Sequence, residues 1–194
     1  NDSPRPASQR AAALVLTAAM LTTLTAPAFA KTWYIEEGDI TISAGKTEGT
    51  NKVTQGTTTD EEDTNTTITN RDKDTPSSNT VTIKAENEND KVEVKLEDVN
   101  IKTTGGKAAV SVTGKGDTNI ELNGDNALKS DIYSSGISSS GSLTISGGEN
   151  DSLTAQGGSG ADGIYSSGSL TISGGTVTAN GGNGGRGISS SDSV

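Results

Sequence analysis

The chain has 194 residues, of which 29% are hydrophobic and 3% aromatic, and its formal net charge at pH 7 is −10. This composition holds too little apolar surface for an ordinary layered globule, and the negative charge excludes the basic footprint of a nucleic-acid-binding protein. The absence of cysteine excludes disulfides and thiol chemistry, and the absence of histidine removes the commonest general base and zinc ligand. We therefore expect either a repeat fold with a thin continuous core or a fold stabilised by a ligand.

Residues 1–30 have the features of a secretory signal peptide. Two arginines precede an apolar run over residues 11–25, and the small-residue motif AFA follows and ends at Ala30. This order predicts cleavage after Ala30, and the run is too short to span a bilayer as a permanent helix. We therefore expect residues 31–194 to form the mature domain of a secreted or cell-surface protein, with no membrane insertion after cleavage.

The early part of the mature domain contains few residues that could form a core. Residues 46–79 offer only Val53 and Ile68 as apolar core candidates, and they include the acidic run DEED at residues 60–63. The segment is predicted to be irregular or loop-rich, either as irregular first coils with long loops or as a mobile segment. The acidic run itself is expected to be a solvated loop.

Internal repeats predict the fold. Residues 136–148 (GISSSGSLTISGG) and 163–175 (GIYSSGSLTISGG) are identical at twelve of thirteen positions, at an offset of 27, and a third copy begins 24 residues later at Gly187. Fainter copies precede them: residues 120–124 align with 143–147, and residues 125–128 with 150–153. A period of this length is typical of stacked coils made of short strands and turns.

The spacing of apolar residues agrees with the repeat. Val110, Ile137, Ile164 and Ile188 follow one another at intervals of 27, 27 and 24 residues, and residues 91–102 (KVEVKLEDVNIK) alternate and then shift phase, as at a corner between two strands. The sequence therefore predicts an all-β fold, a right-handed parallel β-helix with coils of about 24–27 residues. Because the last copy is incomplete, the chain is expected to end within a coil, with an open end that further chain or a partner could cover.

Three stretches carry a resemblance to a known family. Residues 33–45 (WYIEEGDITISAG), residues 80–130 and the GISSSGSLTISGG repeats resemble the carbohydrate-binding domain proteins of bacterial surfaces. The resemblance implies a parallel β-helix related in fold to polysaccharide lyases. It also implies export, binding to a polysaccharide and, in some members, bound calcium.

Two tyrosines are candidate carbohydrate-binding residues. Tyr133 and Tyr165 lie in near-identical surroundings, DIYSSG and DGIYSSG. Because Ile164 belongs to the inward series, Tyr165 should point outward, where its ring could stack on a sugar. The alternative is that both rings lie flat against the solenoid, while Trp33 and Tyr34 are expected to cap the first coil.

Acidic side chains are candidate ligands for calcium, the expected cofactor. Residues 157–165 match the GGxGxDxUx nonapeptide of calcium-binding β-rolls, with Asp162 at the acidic position, but the tandem copies that such sites require are missing. Asp162 could instead be one ligand of another hard-cation site, together with Asp131, Glu149 or Asp151. The alternative is a solvated turn.

Catalysis is not expected from this sequence. It has no histidine for a triad, no nucleophile-elbow pattern and no lysine marked out by its spacing, and pairs of acids occur by chance on so acidic a chain. We therefore predict a non-catalytic, exported polysaccharide-binding module. The alternative is a structural stalk or adhesin segment of a bacterial surface protein.

Overall fold

The computed structural model describes residues 30–191, so the predicted signal peptide before Ala30 and the last three residues lie outside the described part. Strands make up 52% of the structure and helix 2%. The helix is a single 3-10 turn, Ile35–Glu37. Among the described residues, 30–191, no helical segment has the length and hydropathy of a membrane span. The strands are β1 (Thr32–Tyr34), β2 (Ile40–Ala44), β3 (Asn51–Gln55), β4 (Thr58–Asp63), β5 (Thr67–Thr69), β6 (Val81–Ala85), β7 (Lys91–Glu97), β8 (Asn100–Lys102), β9 (Val110–Gly114), β10 (Asp117–Asn123), β11 (Asp125–Lys129), β12 (Ile137–Ser139), β13 (Ser142–Gly147), β14 (Ser152–Gln156), β15 (Ile164–Ser166), β16 (Leu170–Ile172), β17 (Thr176–Asn180) and β18 (Ile188–Ser190).

The strands form three sheets that run along a β-solenoid of about five turns. Sheet A has the order β1-β5-β7-β10-β13-β16, sheet B the order β18-β15-β12-β9-β6-β2-β3-β4, and sheet C the order β17-β14-β11-β8. From β7 onward each coil contributes one strand to sheet A, one to sheet C and one to sheet B, and all these strands pair in parallel. The all-β parallel solenoid predicted from the repeats is therefore confirmed.

The core is a stack of aliphatic side chains from alternate strand positions. In β7 the residues Val92, Val94 and Leu96 are buried, while the charged residues between them face outward. The same alternation in every coil places apolar residues directly above one another, because parallel strands pair like positions with like. A chain with few apolar residues can therefore still enclose a continuous core.

The predicted inward series is confirmed by the pairing in sheet B. Val110 pairs with Ile137, Ile137 with Ile164, and Ile164 with Ile188. The fainter alignments were wrong by two residues, because Ile120 pairs with Ile145 and Asp125 pairs with Ser152. A slip of two residues leaves every side chain on its original face, so the alternation could not distinguish the two registers.

Residues 46–79 contain the one departure from parallel stacking in the described chain. After β2, strand β3 turns back and pairs antiparallel with β2, and β4 pairs antiparallel with β3. Strands β3 and β4 therefore extend sheet B at one edge, and the next strand, β5, belongs to sheet A. The acidic run at residues 60–63 belongs to strand β4 and not to a loop; Glu61 and Glu62 are exposed to solvent as predicted, whereas Asp63 is buried.

The two ends of the solenoid differ in burial. At the first coil Trp33 and Ile35 are buried, as expected of residues that cap the core. At the last coil Ile172 and Ile188 are 38% and 36% exposed, although their partners Ile145 and Ile164 in the preceding coil are fully buried. The last described coil therefore presents an open apolar face, together with the edge strands β16, β17 and β18.

Candidate functional site

Sheet B carries a continuous row of outward hydroxyl groups. Each of six neighbouring parallel strands has a residue with a hydroxyl group at one outward position, and these six positions are paired in register. At about 4.8 Å per strand the row is roughly 24 Å long. Its members are Thr41, Thr82, Ser111, Ser138, Tyr165 and Ser189.

Tyr165 is the aromatic member of this hydroxyl row. It lies at the middle of β15, between two buried residues of the strand, and its side chain is 40% exposed. Ser138 and Ser189 flank it on the neighbouring strands. The outward orientation predicted from Ile164 is therefore found, and the ring lies beside hydroxyl groups at strand spacing.

Tyr133 is the most exposed large hydrophobic side chain of the described residues, at 81%. It lies in the segment between β11 and β12, with a φ of 50°, a left-handed conformation that is costly for a residue of this size. Its backbone N–H donates to the carbonyl of Ser159 at 3.0 Å, and the next residue, Ser134, accepts from Gly158 at 2.9 Å. The exposed ring is thus attached to a backbone fixed by the following coil.

Asp131 fixes the same segment from the other side. Its two carboxylate oxygens accept hydrogen bonds from the backbone N–H groups of Gly105, at 2.8 Å, and Gly106, at 3.0 Å, in the preceding coil. Successive N–H groups of this kind form a concave anion site. Hydrogen bonds from the backbone of Ile132, Gly106 and Gly105 lower the pKa of Asp131 below its ordinary value.

Two of the other candidate calcium ligands, Asp151 and Asp162, also contact backbone. Asp151 accepts from the N–H of Gly124, at 2.9 Å in the preceding coil, and from that of Gly148, at 2.7 Å. Asp162 accepts from the N–H of Arg186, at 2.7 Å in the following coil. These aspartates therefore join one coil to the next.

The four candidate ligands do not form one cluster. Glu149 and Asp151 lie in the corner between β13 and β14, whereas Asp131 and Asp162 lie in the segments that lead from sheet C to sheet B in two different coils. In the described range, 30–191, no group of three or more acidic, histidine or cysteine side chains is close enough to hold a metal ion.

A cavity on sheet A was not anticipated from the sequence. It has a volume of about 180 Å³ and lies between the outward side of β7 and β10 and the base of the β3–β4 hairpin. In the sequence, this cavity was indicated only by the low number of core candidates in residues 46–79. A segment with so few apolar residues cannot form a regular coil, so it has to leave the stack and cover another surface.

Comparison with models of protein families, with curated proteins and with solved structures gave no match for this chain.

Proposed function

We propose that this protein is an exported, non-catalytic module that binds a polysaccharide along sheet B. The observation that carries the proposal is the position of Tyr165 within the row of six outward hydroxyl residues. An aromatic ring can stack on the apolar face of a sugar ring, and hydroxyl groups both donate and accept hydrogen bonds. A row at constant spacing suits an extended glycan, whose units present the same groups repeatedly.

Tyr133 is the second proposed contact. Its ring is exposed while its backbone is fixed, so little backbone conformational entropy would be lost when a ligand covers the ring. Contacts of this kind are individually weak and add along the chain. Affinity should therefore increase with the length of the glycan.

Whether binding requires calcium depends on the charge of the polymer. A neutral glycan such as cellulose or xylan needs no ion to approach the row. An acidic protein with a net charge of −10 would repel an anionic polymer such as pectin, which it could hold only through bridging calcium. Calcium dependence is therefore expected for pectin and not for cellulose or xylan.

The test is retention of the purified protein on insoluble cellulose, on insoluble xylan and on pectin attached to beads, each with calcium and with a chelator. We expect retention on at least one polymer, its loss in Tyr165→Ala, and its recovery in Tyr165→Phe, which restores the ring without the hydroxyl. Retention on none of the polymers in either condition, or full retention of Tyr165→Ala, would contradict the proposal.

The second candidate function is a structural stalk or adhesin segment. It is favoured by the open apolar face of the last described coil, where Ile172 and Ile188 are exposed beside three edge strands. Such a face suits continued stacking against a further coil or a partner. A stalk would show no retention on any glycan, together with association through this face.

A further inference from the structure

The cavity on sheet A has a wall held by a buried amide. Asn51, at the start of β3, is 5% exposed and lines the cavity. Its side-chain Nδ2 donates to the hydroxyl of Thr66 at 2.9 Å and to the backbone carbonyl of Glu93 at 2.7 Å. The base of the hairpin is thereby fixed to β7.

The cavity is lined mainly by polar and charged side chains. Two lysines and two glutamates on β7 and β10 form its floor, and Glu48 on the wall adds a third carboxylate, so the lining has a formal net charge of −1. Lys95 and Glu121 lie opposite each other in the register and form an ion pair at 3.6 Å. Asn119 lies on the same face of β10, one outward position before Glu121, and its Oδ1 accepts from the hydroxyl of Ser146 at 3.2 Å. The net negative charge disfavours an anionic ligand, and the carboxylates and ammonium groups can accept from and donate to hydroxyl groups.

We propose that this cavity binds one uncharged, polyhydroxylated unit, namely a single sugar ring. Amides on both sides, Asn65 on the wall and Asn119 on the floor, each offer a donor and an acceptor, which is what neighbouring hydroxyl groups require. The volume of about 180 Å³ is below the roughly 300–1,000 Å³ of sites that hold drug-sized molecules. The cavity therefore suits a monosaccharide or one terminal unit of a glycan.

This site is separate from the surface in the proposed function. The tyrosines belong to β15 of sheet B and to the segment before β12, whereas the cavity lies on sheet A. The two sites differ in the size of their proposed ligands, because the row on sheet B binds a polymer and the cavity binds a single sugar ring. Either could bind its ligand without the other, so their tests give independent answers.

The experiment is a titration of the ¹⁵N-labelled mature chain with glucose, galactose, mannose and xylose in turn. Binding is detected from changes in the backbone amide chemical shifts. We expect at least one sugar to shift the amides of Asn65, Asn119 and Glu121 at millimolar concentration. Asn119→Ala and Asn65→Ala should each weaken that binding about tenfold.

The matched control is Asn123→Ala on the same strand, which faces outward beyond the cavity and donates to Glu97 at 3.1 Å. It should change the affinity less than twofold, and Tyr133→Ala should also leave monosaccharide binding intact. The inference is overturned if none of the four sugars shifts the cavity residues, or if Asn119→Ala and Asn65→Ala bind as well as the unaltered protein does.

Discussion

The indole Nε1–H of Trp33 donates a hydrogen bond to a carboxylate oxygen of Asp63 at 2.9 Å, and both side chains are buried. The other oxygen of Asp63 accepts from the backbone N–H groups of Lys31 and Asn65, each at 3.2 Å. The carboxylate thus connects β1, at the edge of sheet A, with the end of the hairpin. Asp63, the last residue of the acidic run, therefore holds the first strand against the end of the hairpin.

Replacing this carboxylate should destabilise the first coil. In Asp63→Ala the buried indole N–H has no acceptor, and we expect a loss of about 2 kcal/mol in the free energy of unfolding, measured by urea denaturation. The control is Glu61→Ala in the same strand, whose exposed ion pair with Lys52 contributes little. Equal stability of the two variants would contradict the structural role of Asp63.

The contact between Asp131 and its glycine amides should depend on pH. Because hydrogen bonds to the charged form lower the pKa of Asp131 below 3.8, their stabilisation is present above that value and is lost as the pH falls through the lower folded-state pKa. We expect Asp131→Asn to lower the thermal midpoint at pH 6, and we expect the difference from the unaltered protein to disappear on acidification. Glu149→Gln, at an exposed position, is the control and should leave the thermal midpoint at pH 6 unchanged.

Thr118 should be replaceable by valine with a gain in stability. Its Oγ1 is the one buried side-chain polar atom of residues 30–191 that has no hydrogen-bond partner, and its partners on the adjacent strands are Val92 and Leu143. Thr118→Val keeps the shape and removes the unsatisfied hydroxyl, so we expect a gain of about 1 kcal/mol in urea denaturation. Thr144→Val on the outward face should change stability by less than about 0.5 kcal/mol. A loss of stability in Thr118→Val would show that its hydroxyl is satisfied.

The close approach of coils at Gly182 should exclude any side chain. A Cβ built there would lie 1.8 Å from the carbonyl oxygen of Gly158 in the preceding coil. Gly182→Ala should therefore separate the last two coils and lower stability by about 1–3 kcal/mol, seen as faster amide exchange in β17 and β18. The comparison is Gly184→Ala, which has open space but a φ of +85°, so that it measures backbone strain alone. Equal amide exchange in the two variants would rule out the clash.

The sequence by itself determined the repeat fold, because parallel stacking places equivalent residues above one another and so imposes a common pattern on successive coils. The series from Val110 to Ile188 gave the pairing of sheet B, and Ile164 gave the outward orientation of Tyr165. These predictions depend only on the period of the coil and on the alternation within a strand.

Only the tertiary structure decided the features that depend on contacts between distant segments. The two-residue error in aligning Ile120 and Asp125 arose because a slip of two preserves the faces, so only side-chain packing and corner geometry fix the register. The burial of Asp63 was not predicted, because nothing local reveals that Trp33, thirty residues earlier, supplies a donor to its carboxylate. In the same way, the separation of Asp131 from Asp151 and the left-handed backbone of Tyr133 follow from the neighbouring coils, whose amide and carbonyl groups determine where each turn can bind.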